Sequence, residues 1–220
     1  MMKVLFIAGD VWHPMEVIRR GLDSFGNKLD GIEMDFVEAA KDILTPEFIR
    51  AYDVIVIAKG NAVASFNSAP WYEDGVTEVR GEEFGDYLRE GHGMVFLHAA
   101  NCIGKDALPA YYALNGNWFI GHPLRCPVEY KVVKTNELTE GVADFTERDE
   151  HYMLSDVAGD ADIFLESRSP EGGVQAAGYT RRIGDGRVAV ITPGHTLAVW
   201  TNENFQKLLV NALHWAAGEK

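Results

Sequence analysis

The chain has 220 residues, of which 47% are hydrophobic and 24% charged, with a formal net charge of −13. That length suffices for one domain with a sizeable core, and the acidic balance argues against a nucleic-acid partner and for neutral rather than phosphorylated ligands. The two cysteines, Cys102 and Cys126, make neither a paired framework nor a CxxC motif, and no apolar run reaches the roughly 18 residues of a membrane span, so a reducing cytoplasm without a membrane partner is expected.

Residues 4–8 are all apolar and read as a first buried strand, too short for a secretion signal. Gly9-Asp10 ends it and opens a loop carrying Trp12, His13 and Pro14. Met15, Val17, Ile18, Leu22 and Phe25 then recur at helical spacing, with Pro14 suited to a first helical position. Residues 32–37 alternate apolar and acidic and predict an edge or near-edge strand. Thr45-Pro46-Glu47 opens a short helix with Thr45 as its cap, and residues 54–58 read as a third, buried strand. Residues 59–76 carry turn formers without periodicity, so a functional or mobile loop is expected there, placed to cover a site. Residues 77–89 predict an acidic amphipathic helix.

The stretch Glu90-Gly91-His92-Gly93-Met94-Val95-Phe96-Leu97-His98-Ala99-Ala100-Asn101 organises the rest. Gly91 and Gly93 permit the chain reversal, Met94 to Leu97 form a buried strand, and His98 closes it ahead of two small residues. A helix is expected over residues 105–114 with Pro109 interrupting it, followed by an aromatic, glycine-containing loop over 115–123. Further on the pattern turns antiparallel, with strands predicted over 128–133, 163–166, 175–180 and 188–191 and a hairpin turn at Ile183-Gly184-Asp185-Gly186-Arg187. A closing helix spans 202–217, and no repeat or linker divides residues 1–220, which read as a single α/β domain.

Three histidines follow strands in matching places: His13 after the first, His98 after the fourth and His195 after the last. In a parallel sheet those ends share one edge, the usual ligand edge of the class. Glu150, in the acidic run Asp149-Glu150-His151-Tyr152, is a natural fourth member. Imidazoles beside a carboxylate serve general acid–base chemistry near neutral pH, and the same set describes a zinc-type site. Each residue also has a plain reading: His98 as a buried histidine bonded to a carbonyl, His13 at a helix entry, Glu150 among surface acids, His195 in a turn. His92 reads as a solvated turn residue, His151 and His214 as structural, and Cys102 as a small hydrophobe without a partner that would lower its pKa. The aromatics Trp12, Trp71, Tyr72, Trp118 and Phe119 lie in loops, where they either stack on sugar rings or plug the core or a subunit contact.

The ordered set of motifs resembles the ThuA-like (trehalose-utilisation) family, a branch of the class I glutamine amidotransferase-like superfamily. Its pieces are His13-Pro14, Gly91-His92-Gly93 through His98-Ala99-Ala100, Leu114-Asn115-Gly116-Asn117-Trp118-Phe119-Ile120-Gly121-His122-Pro123, Asp149-Glu150-His151-Tyr152, Gly184-Asp185-Gly186-Arg187-Val188, Pro193-Gly194-His195-Thr196 and the segment from Leu209 to Gly218. The resemblance implies a flavodoxin-like, doubly wound, mostly parallel sheet with helices on both faces and some antiparallel strands in the C-terminal half. Relatives with amidotransferase activity carry a cysteine nucleophile on the turn after the strand matching residues 94–97; His98 or Ala99 falls there, so glutamine hydrolysis by that route is not expected. The implied role is in the catabolism of a disaccharide or keto-sugar by a lyase, isomerase or hydrolase reaction, with His98, Glu150 and His195 as catalytic residues. His13, Trp118, His122 and Tyr152 would contact the sugar. Alternatively, His13, His98, Glu150 and His195 would hold a divalent metal such as zinc. A non-catalytic sugar-binding or regulatory module, a subunit of a sugar dehydrogenase, and a homo-oligomer are further expectations; an exposed patch including Trp71 or Trp200 would favour the dehydrogenase partner. Two departures bear on the substrate: His151 stands where a hydrophobic residue is usual, and Asn115-Gly116-Asn117 replaces a more glycine-rich run.

Overall fold

A computed structural model describes residues 1–38, 43–60, 81–103 and 109–219. Of the covering loop expected over 59–76, residues 61–76 with Trp71 and Tyr72, and the parts of two expected helices at 77–80 and 105–108, lie outside the described residues.

The chain runs β1 (Met2–Ala8), α1 (Met15–Asp23), β2 (Ile32–Val37), α2 (Pro46–Ile49), β3 (Val54–Ala58), α3 (Gly81–Arg89), β4 (Gly93–Leu97), α4 (Pro109–Asn115), β5 (Trp118–Gly121), β6 (Cys126–Val132), β7 (Phe145–Asp149), β8 (Met153–Ser155), β9 (Asp162–Ser169), β10 (Gly173–Ile183), β11 (Gly186–Ile191), α5 (Leu197–Thr201) and α6 (Glu203–Ala216). Nine strands form one sheet in the order β2-β1-β3-β4-β11-β10-β9-β6-β7, and β5 pairs with β8 separately. From β2 to β11 every pairing is parallel; from β11 to β7 every pairing is antiparallel. The acidic alternation of β2 suits its place at the sheet's edge.

β1, β3 and β4 are buried on both faces, as their unbroken apolar runs require. Alternate residues feed two cores. Val4, Phe6, Val95 and Ala189 meet α1, α5 and α6 on one face, and Leu5, Ile7, Met94 and Val188 meet α2, α3 and α4 on the other. Thr45 caps α2 by accepting the Phe48 amide at 3.1 Å, and Pro109 opens α4 rather than interrupting it.

The two glycines before β4 have different reasons. Gly91 has a φ of +98° and reverses the chain. Gly93 instead lets α6 approach, since a Cβ there would lie 2.3 Å from the carbonyl oxygen of Ala216. Residues 118–121, expected as loop, form β5, and β7 and α5 were not foreseen. β7 escapes a hydrophobic pattern because only Phe145 in Phe145-Thr146-Glu147-Arg148-Asp149 is apolar. Trp200 is buried, not exposed. No described helix is long and apolar enough to cross a membrane.

Candidate metal centre

Strand direction gathers the site. β1, β4, β11 and β7 all run the same way, so the residues following them leave the sheet at the same edge. His13 follows β1, His98 ends β4, His195 follows β11 and Glu150 follows β7. One donor atom from each of the four lies within 4.8 Å of the other three. The imidazoles meet edge-on in a tripod, with ring centroids 5.0 Å apart for His13–His98, 5.1 Å for His13–His195 and 5.4 Å for His98–His195.

Each ring is held by a local device. Asp10, buried at the end of β1, accepts the backbone amides of Trp12 and His13 at 2.8 Å, the amide of Gly60 at 2.8 Å and the His13 Nδ1 proton at 2.9 Å. Burial pushes the Asp10 carboxyl up, but the His13 bond and charge and the two amides of Gly60 and Trp12 outweigh it and hold it at about 2. His13 itself is lowered, chiefly by burial and further by the neighbouring His98 and His195, against the pull of Asp10. A neutral imidazole with Nδ1 donating to a carboxylate presents Nε2 as a lone pair, the usual arrangement of a metal-binding histidine.

His98 has a φ of +42°, a left-handed residue at a sharp strand-to-helix turn. Buried Asn101 braces that turn by donating to the carbonyls of Phe96 and His98 at 3.3 and 3.2 Å. Between His98 and Ala99, the geometry therefore puts His98 at the point of the turn. Its Nδ1 lies 2.7 Å from the Thr192 carbonyl, which only accepts, so the proton sits on Nδ1 and Nε2 is again the free lone pair.

Glu150 Oε2 lies 3.2 Å from His195 Nδ1, 3.6 Å from His98 Nε2 and 3.6 Å from His122 Nε2. Burial opposes its ionisation, but the imidazoles of His195 and His98 beside it prevail and keep its carboxyl well below the usual range.

His13 Nε2, His98 Nε2 and His195 Nδ1 are all buried and make no hydrogen bond among the described residues. Buried polar atoms left unpaired cost about 1–3 kcal/mol each, so three converging on one point call for a common partner. A divalent cation fits. Metal–donor lengths of about 2.0–2.2 Å put tetrahedral donors about 3.3–3.6 Å apart, and the two carboxylate–imidazole separations of 3.2 and 3.6 Å match. The donor set, three imidazole nitrogens and one carboxylate oxygen, suits zinc and its first-row neighbours.

A cavity of about 340 Å³ opens beside the cluster, walled by Trp12, His13, Cys102, Phe119, His122, Glu150 and Tyr152. His122 and Tyr152, expected at the sugar, are thus on the wall of this cavity. Tyr152 stacks on His98 with centroids 4.2 Å apart and accepts the Cys102 thiol proton at 3.0 Å. Trp118 is not among the walls: it stacks on Tyr112 at 4.7 Å. Residues 118–121 are a strand, so neighbours point to opposite sides, and Phe119 takes the place expected of Trp118. Burial pushes the Cys102 thiol up to about 12, in keeping with its reading as a hydrophobe. His151, buried with its ring nitrogens 2.6 and 2.9 Å from the hydroxyls of Ser169 and Ser167, is structural as expected, while His92 stacks on Tyr87 at 4.3 Å instead of standing free in solvent. Sequence reading passed over Asp10, though its place three residues before His13, at a strand end, is the spacing of a side chain that caps its own loop.

Fold and site together define an α/β protein carrying a three-histidine, one-carboxylate cluster at the carboxyl edge of its parallel strands. The sequence profile of the ThuA family, described as trehalose utilisation, matches residues 3–216, and the chain belongs to that family. Among solved structures it is similar to a ThuA-like protein from Bacteroides uniformis, with 20% identity, a TM-score of 0.73 and coverage of 98% of this chain and 91% of that one. A ThuA-like protein from Parabacteroides merdae aligns at 18% identity and TM-score 0.74, over 99% and 91% of the two chains. A cytoplasmic protein from Salmonella typhimurium aligns at 14% identity and TM-score 0.71, over 98% and 99%. No curated protein matches the sequence.

Proposed function

We propose that this protein is an enzyme of sugar catabolism, related to trehalose utilisation, that processes a neutral disaccharide or keto-sugar at a divalent cation held by His13, His98, His195 and Glu150. The observation that carries the reading is the convergence of three buried, unpartnered imidazole nitrogens and one ionised carboxylate beside a cavity. A cation bound there supplies polarisation of a carbonyl or hydroxyl oxygen. Trp12 and Phe119 offer aromatic surface to the apolar side of a sugar, and Tyr152, buried and stacked on His98, backs the cavity wall. His122 and Glu150, facing each other across 3.6 Å at the cavity wall, accept or donate at its hydroxyls. Amidotransfer through a thiol is not proposed, because His98 occupies the sharp turn and the Cys102 thiol is pushed up. The flavodoxin-like reading draws support from the parallel order β2-β1-β3-β4-β11. We place the protein in the cytoplasm, as the description of the Salmonella relative supports.

The test is elemental analysis of the purified protein before and after incubation with Zn²⁺, together with His98→Ala. Stoichiometric metal in wild type and its loss in a folded variant are expected. A wild-type protein that takes up no divalent ion refutes the metal reading and leaves metal-free acid–base chemistry by Glu150 and His195, or a non-catalytic sugar-binding module.

A further inference from the structure

β7 lies at the far edge of the antiparallel half, four places from β11. In a flat sheet at the usual interstrand spacing the two would stand about 19 Å apart. Yet Asp149, the last residue of β7, bonds directly to the loop after β11. Its carboxylate is fully buried and accepts three hydrogen bonds: from the Tyr130 hydroxyl at 2.8 Å, the Gly194 amide at 2.9 Å and the His195 amide at 3.0 Å. The sheet must therefore curl until its edge meets its own middle, and this carboxylate sits at the meeting point.

The loop it grips is stitched on every side. Thr192 holds His98 through its carbonyl, the Gly194 carbonyl accepts the Trp200 indole N–H at 2.8 Å, and Thr196 Oγ1 donates to the Arg148 carbonyl at 2.8 Å. Gly194 itself, at a φ of +150°, admits no larger residue, since a Cβ would lie 2.9 Å from that of His98. Among these contacts only the Asp149 carboxylate reaches the His195 backbone, and Glu150 is its chain neighbour.

We propose that Asp149 is a positioning residue for the metal centre: one buried carboxylate sets the backbone of His195 and, through the next peptide, the place of Glu150, so that donors from two distant strands meet. Its consequence for metal affinity rests on the metal reading above. An Asn in its place has the same shape but one acceptor oxygen fewer. With its NH₂ in the place of Oδ2, the Tyr130 hydroxyl turns to accept but the Gly194 N–H loses its acceptor; with its NH₂ in the place of Oδ1, the His195 N–H loses its acceptor, so one amide is left without a partner either way.

The experiment compares Asp149→Asn with Tyr130→Phe, which removes one bond to Asp149 but leaves both backbone bonds. Zn²⁺ and Co²⁺ affinities are measured by competition with a chromophoric chelator, the Co²⁺ d–d bands report donor geometry, and amide exchange at Gly194 and His195 is read in the metal-free protein. For Asp149→Asn the expectation is an affinity loss of about 10–100-fold, altered Co²⁺ bands and faster exchange at Gly194 or His195. Tyr130→Phe is expected to keep wild-type bands and exchange and to bind within about threefold of wild type, a bound set by the retained backbone bonds. Unchanged affinity and exchange in a folded Asp149→Asn protein overturn the proposal, as does a Tyr130→Phe protein that loses as much affinity. If wild type binds neither ion, the metal reading fails on its own, and exchange at the two amides still decides: faster exchange in Asp149→Asn supports the clamp, and any other result overturns it. Should Asp149→Asn not fold, Asp149→Glu keeps the charge but displaces the carboxyl by one methylene; weakened binding or faster exchange is expected, and wild-type values for both overturn the proposal.

Discussion

Replacing Gly93 by alanine adds one methyl group at the start of β4 and should destabilise the protein out of proportion to its size. The new Cβ would lie 2.3 Å from the Ala216 carbonyl oxygen, 2.5 Å from its carbon and 2.8 Å from its Cβ. Ordinary carbon contacts sit at about 3.5–4.0 Å, so strand and helix must part by about 1 Å. β4 has no room to retreat, because Gly93 is registered against Val54 on one side and Arg187 on the other. The last turn of α6 must lift instead, and it carries buried Trp215 and Ala216. Overpacking of this kind costs about 1–3 kcal/mol. For a chain of this length each kcal/mol moves the midpoint by about 2–4 °C, so at about 2 kcal/mol a drop of about 4–8 °C is expected. The assay is thermal unfolding followed by circular dichroism, with Gly159→Ala as control, since Gly159 has nothing within 4 Å of an added Cβ. The control should match wild type or gain slightly from the stiffer unfolded chain. A Gly93→Ala midpoint no lower than that of the control would refute the packing argument.

Two further outcomes follow from the site. Asp10→Asn leaves His13 without a charged acceptor at Nδ1, so Zn²⁺ affinity measured by chelator competition should fall about 10–100-fold, equivalent to about 1.4–2.7 kcal/mol; an unchanged affinity would show that Asp10 shapes the loop without tuning the ligand. Cys102, whose thiol is held at about 12 by burial, should react with iodoacetamide at pH 7.5 at least about a hundredfold more slowly than a free thiol of pKa about 8.5; mass spectrometry showing Cys102 alkylated as fast as free cysteine would contradict this.

Local chemistry made the parallel half legible. The unbroken apolar runs of β1, β3 and β4 can only be strands covered on both faces, and Pro, Thr and Gly mark the helix boundaries around them. A strand's end is visible in sequence, so His13, His98 and His195 were legible as residues of one edge once the strands were taken as parallel. β7 and the pairing of β5 with β8 were not, because a short strand with one apolar residue, or an aromatic run beside glycine, has no period to read. That is why Trp118 was expected in the cavity and Phe119 lines it.

The sequence by itself determined at which edge the three histidines emerge, because strand ends show as local apolar runs closed by turn residues. Only the tertiary structure decided that Glu150 joins them. Its strand sits at the opposite margin of the sheet, and the curl that closes that distance depends on twist accumulated over four strand pairings and on the Asp149 bonds across it. No neighbour in the chain encodes such a contact. The same holds for the proton positions: Thr192 and Asp10 choose the free nitrogens of His98 and His13, and that choice exists only once the partners, 94 residues apart in the first case, lie within hydrogen-bonding distance.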